Sequence, residues 1–538
     1  MMNTQLTLRL LIERAEKYFP KKEVVTRKAS GIFRYMYADF GKRARRLASA
    51  LQTLGVQRGD RVATFAWNQH RHLEAYFAIP CIGSVLHTIN IRLSSEHIAY
   101  IINHAEDKVL MIDEDLIPLI EKVKDQIPTV KAFVIMTDNP ELPETALHPV
   151  YSYEQLLEAG DPGFQFRSDI DENEAAGMCY TSATTGNPKG VVYSHRGIYL
   201  HTMCMGLADT IAYSENDTVM PVVPMFHANA WGIPFAAVMF GSKLVLPGAG
   251  PTPQILLELI QSEKITAAAG VPTIWTGVLQ VLEKQPYDVS SLRAVLCGGS
   301  AAPRGLIKAY EEKFGIPFIH AYGMTETAPV ASVSRLRSNH QHLPVDRLLD
   351  IRSLQGMLVP GLEMRVVGQN GDVNWNGQEM GEVWLRGPWV ADEYYNDERS
   401  KETFIDGWYH SGDVATIDEE GYLKLVDRTK DLVKSGGEWI SSVDLENALM
   451  AHPKVFEATV IAVPHPKWDE RPVAFVALKP DFKDQVEKQE LLDYLAGQFA
   501  KWWVPDDIVF LDEIPKTSVG KFLKRSLREQ YKDHLIRM

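Results

Sequence analysis

A chain of 538 residues, 45% hydrophobic and 23% charged, has ordinary globular composition and is too long for a single core. Its formal net charge of −13 excludes a general nucleic-acid binder, since affinity for a phosphate backbone needs a basic face; a local basic pocket stays possible. Four widely spaced cysteines, Cys81, Cys179, Cys204 and Cys297, with no C-x-x-C pair, fit neither a disulfide framework nor a zinc site and point to the cytoplasm. The opening MMNTQLTLRLLIERAEKYF carries Arg9, Glu13, Arg14 and Glu16 among its leucines, which predicts an amphipathic helix and not a signal peptide. FGKRARRLASALQTLG predicts a helix ending at Gly55, DRVATFAW a strand, DLIPLIEKVKDQI a helix and AFVIM a strand. The apolar run from Val222 to Gly241 is interrupted by Pro224, His227, Asn229 and Pro234, so it reads as a buried, pocket-lining segment and not a membrane span. From about Gly356 the strands shorten: LEMRVVG, EVWLRG and YLKLVDR. A new unit then begins near Asp431 with a helix SSVDLENALMAHP, strands EATVIAVP and PVAFVALKP, a helix QELLDYLAGQFAKWW and a strand DIVFLDEIP. This alternation predicts an α/β protein of layered, largely parallel sheets, divided into residues 1–426, a tight hinge at 427–431 and a smaller α+β domain at 432–538.

Four segments carry chemistry. In YTSATTGNPKG, Thr181, Ser182, Thr184, Thr185, Gly186 and Lys189 crowd one short loop between an apolar run and a strand. Backbone N–H groups and hydroxyls in such a loop wrap phosphate oxygens while lysine neutralises charge. The spacing is not the Walker form, because Pro188 precedes the lysine and no GKS or GKT follows. A Ser/Thr/Gly loop alone is an ordinary polar turn; the attached PKG sets this one apart. In HAYGMTETAP, Tyr322 offers a flat face for a purine, Thr325 a hydroxyl and Glu326 a hard oxygen for Mg²⁺. WYHSGDVATIDEEGYLKLVDRTKDLVKSGGEWI supplies Asp413 and Arg428 for ribose hydroxyls and a phosphate, then an SGGE turn where glycine permits close approach to the backbone. PKTSVGKFLKR presents Lys521 on a glycine-bearing turn near the end; taken alone, such a lysine is an ordinary surface charge.

In this order and spacing the four segments resemble the acyl-adenylate-forming superfamily, which includes acyl-CoA synthetases, firefly luciferase and the adenylation domains of peptide synthetases. The resemblance spans essentially the whole chain. VPMFHANAW, GGSAAP, DRTKDLVKSGGEWISSVDLENAL and PKTSVGKFLKR look most like bacterial medium- and long-chain fatty-acid–CoA ligases. It implies an acyl-CoA synthetase-like fold with a mobile C-terminal domain, ATP and CoA as co-substrates, Mg²⁺ as cofactor and a homodimer. By position, Thr181 and Glu326 match the Mg²⁺–ATP ligands and Thr325 a phosphate contact. Gly299, His320, Ala321 and Tyr322 fall where adenine is held, and Asp413 and Arg428 where ribose is held. Lys521 matches the lysine bridging carboxylate and α-phosphate, Lys430 the hinge, and Lys434 and Trp439 nucleotide-proximal residues of the moving domain. His227, Ala228 and Trp231 match the mouth of the acyl tunnel, where the tryptophan acts as a gate.

Two positions depart from the pattern. Ala183 stands where the loop normally has glycine, at about 1 kcal/mol if the site needs a positive φ. Asp392-Glu393 replaces a usual glycine in a turn read as distant from the chemistry. No protein nucleophile is required, and His195 in YSHRG reads as a structural residue at a helix start. The rival expectations are a ligase for another acid (short-chain, aryl or methylthio), a carrier-loading domain, a luciferase-like oxidase and a catalytically silent acyl-adenylate-binding protein.

Overall fold

Valine- and isoleucine-rich runs with every residue buried, such as Val109–Asp113 and Ala132–Met136, belong to sheets covered on both faces. The computed structural model describes residues 1–181, 186–435, 438–483, 485–517 and 522–537. The expectations for Ser182, Ala183, Thr184, Thr185, the glycines of SGGE and Lys521 therefore lie outside the described residues.

Four sheets organise the chain. A seven-stranded sheet runs in the order Val150–Ser152, Ala132–Met136, Val109–Asp113, Arg61–Phe65, Val85–Thr88, Ala175–Tyr180, Gly190–Ser194, parallel except for its last, antiparallel pair. A nine-stranded sheet has six central parallel strands: Phe318–Gly323, Ala294–Cys297, Ala267–Gly270, Thr218–Pro221, Lys243–Leu246 and Glu23–Lys28. Short antiparallel strands from Glu363 to Arg428 form a third sheet. The fourth is built from Val433 onward, around the long hairpin of Val455–His465 and Asp469–Leu478. Its helix Ser442–Ala451 and its strands close over a core of their own that includes Leu445, Leu449, Val460, Val476 and Leu491. The chain is thus a large N-terminal domain followed by a smaller C-terminal one, as the α/β pattern predicts.

Several elements are shorter than their sequence periodicity suggests. The helix expected over QELLDYLAGQFAKWW spans only Lys488–Ala496, with Gly497 at its end. DLIPLIEKVKDQI makes one short helix, Ile117–Glu121, with Pro118 in its first turn and 3₁₀ turns on either side. The apolar run after Val222 breaks into the turn Ala228–Trp231 and the helix Ile233–Phe240. Among the described residues no helix is long and apolar enough to cross a membrane. All four cysteines are free and buried.

His195 opens the helix His195–Met205, and its Nδ1 accepts the Leu8 N–H at 3.2 Å. Burial pushes His195 and His72 down to about 4 and His201 to about 3. These rings stay neutral in the folded chain, whereas the unfolded chain protonates them below about pH 6.5, so it binds more protons there. Their contribution is complete above pH 6.5 and is lost as the pH falls toward 4. The unfolding midpoint is expected to hold steady from pH 8 to 6.5 and then drop, less steeply in His72→Gln; identical slopes for the two proteins would refute this assignment.

Candidate active site

Open parallel sheets hold ligands beyond the carboxyl ends of their strands, and the predicted segments converge there. Thr181 follows Ala175–Tyr180, Gly298 and Gly299 follow Ala294–Cys297, and Thr325 and Glu326 lie in the 3₁₀ turn just after Phe318–Gly323. They line one cleft of about 500 Å³ with Lys189, His227, Ala228, Trp231, Ala321, Tyr322, Arg428 and Lys430. A smaller adjoining pocket of about 270 Å³ adds His320 and Asp413.

The loop expected to wrap phosphate connects an antiparallel pair of strands in which Tyr180 faces Gly190. Its ends are tied twice: the Thr181 N–H donates to the Lys189 carbonyl at 2.9 Å, and the Lys189 N–H to Thr181 Oγ1 at 3.1 Å. Gly186 has a φ of 72° and is exposed outside the cleft lining. Burial lowers the pKa of the Lys189 ammonium, opposed by the nearby Glu326 carboxylate.

Glu326 is 7% exposed, and its Oε1 accepts the Tyr394 hydroxyl at 2.7 Å. No group of three or more His, Cys, Asp or Glu able to hold a metal exists among the described residues. One carboxylate and one hydroxyl do not satisfy a six-coordinate Mg²⁺, which suits an ion whose other ligands are phosphate oxygens and water.

Asp413 and Arg428 face each other across paired strands, with Arg428 Nε 3.2 Å from Asp413 Oδ1, and Tyr322 donates its hydroxyl to Asp413 Oδ2 at 2.8 Å. The Asp413 carboxylate raises the Arg428 pKa, and burial raises that of Tyr322. His320 is held through both ring nitrogens: Nδ1 lies 3.0 Å from the Ser353 carbonyl, and Nε2 accepts the Ala302 N–H at 3.3 Å. With both ring nitrogens engaged, a ligand there meets its strand backbone and not a free imidazole.

The segment expected at the tunnel mouth has an unusual backbone. Ala228, Asn229, Ala230 and Trp231 have φ of 42°, 53°, 50° and 57°, a left-handed turn closed by Gly232. Each non-glycine residue there costs about 1–2 kcal/mol, so packing must hold the turn. Ala228 and Ala230 are buried, and a Cβ at Gly298 would stand 2.9 Å from the Ala321 carbonyl and 3.3 Å from Trp231 Cη2.

On the C-terminal side, Lys430 lines both pockets, and Thr517 and Phe522, which precede and follow residues 518–521 in sequence, line the smaller one. Lys434 and Trp439 line neither pocket: the Lys434 ammonium rests 4.9 Å from the centre of the Trp439 ring. Sequence reasoning missed Tyr394. The Asp392-Glu393 turn, expected to lie away from the chemistry, leads directly into a side chain that bonds Glu326, and the Lys189 ammonium lies 3.9 Å from its ring centre. The doubled tyrosine of EYYN was the available signal.

Residues 12–395 match the AMP-binding enzyme family and residues 444–521 the AMP-binding enzyme C-terminal domain. The chain is 48% identical to a long-chain-fatty-acid–CoA ligase of Thermus thermophilus, over 99% of this chain and 97% of that one. It is 43% identical to a medium-chain-fatty-acid–CoA ligase of Ectopseudomonas oleovorans, over 100% and 98%. Identity to a 3-methylmercaptopropionyl-CoA ligase of Ruegeria lacuscaerulensis is 44%, over 99% of each. Among solved structures, an anthranilate CoA ligase in complex with anthranoyl-AMP superposes with a TM-score of 0.88 at 25% identity, covering 99% of both chains. The chain belongs to the AMP-binding enzyme family and is one of its acid–CoA ligases.

Proposed function

We propose that the acid is a fatty acid, activated with ATP as an acyl-adenylate and then passed to CoA. The supporting observation is that one cleft joins Thr181, Lys189 and Glu326 to an apolar wall of Ala228, Trp231, Leu296, Pro329 and Val330. In the first step a carboxylate oxygen attacks the α-phosphorus and the bond to the β-phosphate oxygen breaks, releasing pyrophosphate. In the second the CoA sulfur attacks the acyl carbon, and AMP leaves with the bridging oxygen. Two anions must meet in the first step, so positioning and neutralisation supply most of the catalysis. Lys189 and Lys521 neutralise charge, Thr325 contacts phosphate, Asp413 and Arg428 hold the ribose, and Gly299, His320, Ala321 and Tyr322 wall the adenine. Thr181 and Glu326 would hold Mg²⁺, which would offset phosphate charge. The division at 427–431, action in the cytoplasm and a homodimer belong to the same proposal.

Efficiency (kcat/KM) is expected to rise from short acids to about C8–C16, by up to about fourfold per CH₂ if each buried CH₂ contributes about 0.8 kcal/mol. AMP release across a panel of acids tests this. A second reading, a methylthio acid as substrate, draws on the 44% identity to the 3-methylmercaptopropionyl-CoA ligase. Higher efficiency with 3-methylmercaptopropionate than with every fatty acid would establish that reading and overturn the first.

A further inference from the structure

Tyr394 stands between two groups of opposite charge. Its hydroxyl donates to Glu326 Oε1 at 2.7 Å, while the Lys189 ammonium lies 3.9 Å from its ring centre. The side chain is 2% exposed, and Phe404 packs edge-on against it with ring centres 5.1 Å apart. The backbone fixes it further. The Ala391 N–H donates to the Glu326 carbonyl and the Tyr395 N–H to the Gly190 carbonyl, both at 2.8 Å. The loop carrying Tyr394 is therefore pinned to the segment of Glu326 and to the residue after Lys189.

Opposite charges drawn into a poorly hydrated site pair with each other unless something else holds each of them. Lys189 and Glu326 feel one another electrostatically, yet among the described residues no ion pair joins them. A direct pair would consume both at once: the carboxylate would lose its vacant oxygen, and the ammonium would turn away from the loop. An aromatic face holds an ammonium without neutralising it, and a phenol holds a carboxylate without supplying a counter-charge.

We propose that Tyr394 is a positioning residue that keeps the phosphate-binding lysine and the metal-binding carboxylate apart, leaving both free for an incoming nucleotide. The inference rests on the function proposed above.

Its test is the binding of Mn²⁺, read by electron paramagnetic resonance at saturating α,β-methylene-ATP, which needs no turnover. Tyr394→Leu removes both holds and lets Lys189 reach Glu326, so Mn²⁺ affinity is expected to fall about tenfold or more. Tyr394→Phe keeps the ring and is expected to lose only about threefold. Adding Lys189→Met to Tyr394→Leu removes the competing charge and should restore Mn²⁺ affinity to within about threefold of Lys189→Met alone. A purely structural tyrosine would not be rescued by deleting a lysine. Equal weakness of the single and double variants, or unchanged affinity in Tyr394→Leu, would overturn the proposal. If Tyr394→Leu does not fold, a Tyr394→Phe loss that persists in Tyr394→Phe/Lys189→Met equally overturns it. Absence of acid-dependent pyrophosphate exchange in the wild-type protein would overturn the function beneath it, whereas normal exchange without rescue would overturn this inference alone.

Discussion

Glu326→Gln is expected to lower acid-dependent ATP–pyrophosphate exchange by about 10²–10³-fold in a protein that still folds. The substitution keeps the side chain's shape and an oxygen to accept the Tyr394 hydroxyl, so the 2.7 Å contact survives. It removes the negative charge that Glu326 would set against a divalent cation. Glu326 is 7% exposed, so water does not readily replace a lost oxygen ligand. The loss should appear in kcat and in the half-saturating Mg²⁺ concentration together, with the unfolding midpoint little moved. A decrease of less than about tenfold would place the metal elsewhere.

Lys430→Pro is expected to separate the two half-reactions, keeping pyrophosphate exchange within about threefold of wild type while thioester formation falls by about 100-fold or more. Residues 427–431 join the third sheet to the fourth. The Thr429 N–H donates to the Gly412 carbonyl at 2.9 Å, and the Asp431 and Leu432 N–H groups donate to the Arg428 carbonyl at 2.8 and 2.9 Å. The smaller domain is held in this arrangement by Lys424–Asp444 at 2.8 Å, by Ser441 Oγ on the Val426 carbonyl at 2.7 Å and by the Ser442 N–H on Asp427 at 3.0 Å. Thr517 and Phe522, which precede and follow residues 518–521 in sequence, then line the smaller pocket, and Lys434 lines neither pocket. If Lys521 serves adenylation and Lys434 thioester formation, one rigid domain presents them in turn, and a proline's fixed φ would obstruct the rotation between the two poses. Lys521→Ala should give the opposite split, losing adenylation yet converting supplied acyl-adenylate to thioester. Equal loss of both steps in each folded variant would rule out two poses.

What could be read from the chain was local. A strand ending in Tyr-Gly with Thr325 and Glu326 in the turn after it depends on contiguous residues, so HAYGMTETAP was legible as a local unit. Periodicity likewise placed the helices Leu8–Tyr18, Tyr37–Thr53 and Ser442–Ala451, because one apolar face at helical spacing suffices for each. Where helix ended was less legible: Gly497 cut one short, and Pro118 left another as a single short helix between 3₁₀ turns.

Tertiary structure decided the rest. Tyr394 is 68 residues from Glu326 in sequence, and no local pattern announces that contact. The left-handed turn at Ala228–Trp231 runs against the intrinsic preference of each residue in it and exists because the surrounding core confines the chain there. The same holds for the seating of the C-terminal domain, where contacts of Ser441, Ser442 and Asp444 with Val426, Asp427 and Lys424 hold the helix Ser442–Ala451 against the preceding strand. Local motifs encode which groups are present because bonding along the chain holds their spacing. The partner of a side chain from a distant segment is chosen by burial and charge, which come into being only when the chain has folded.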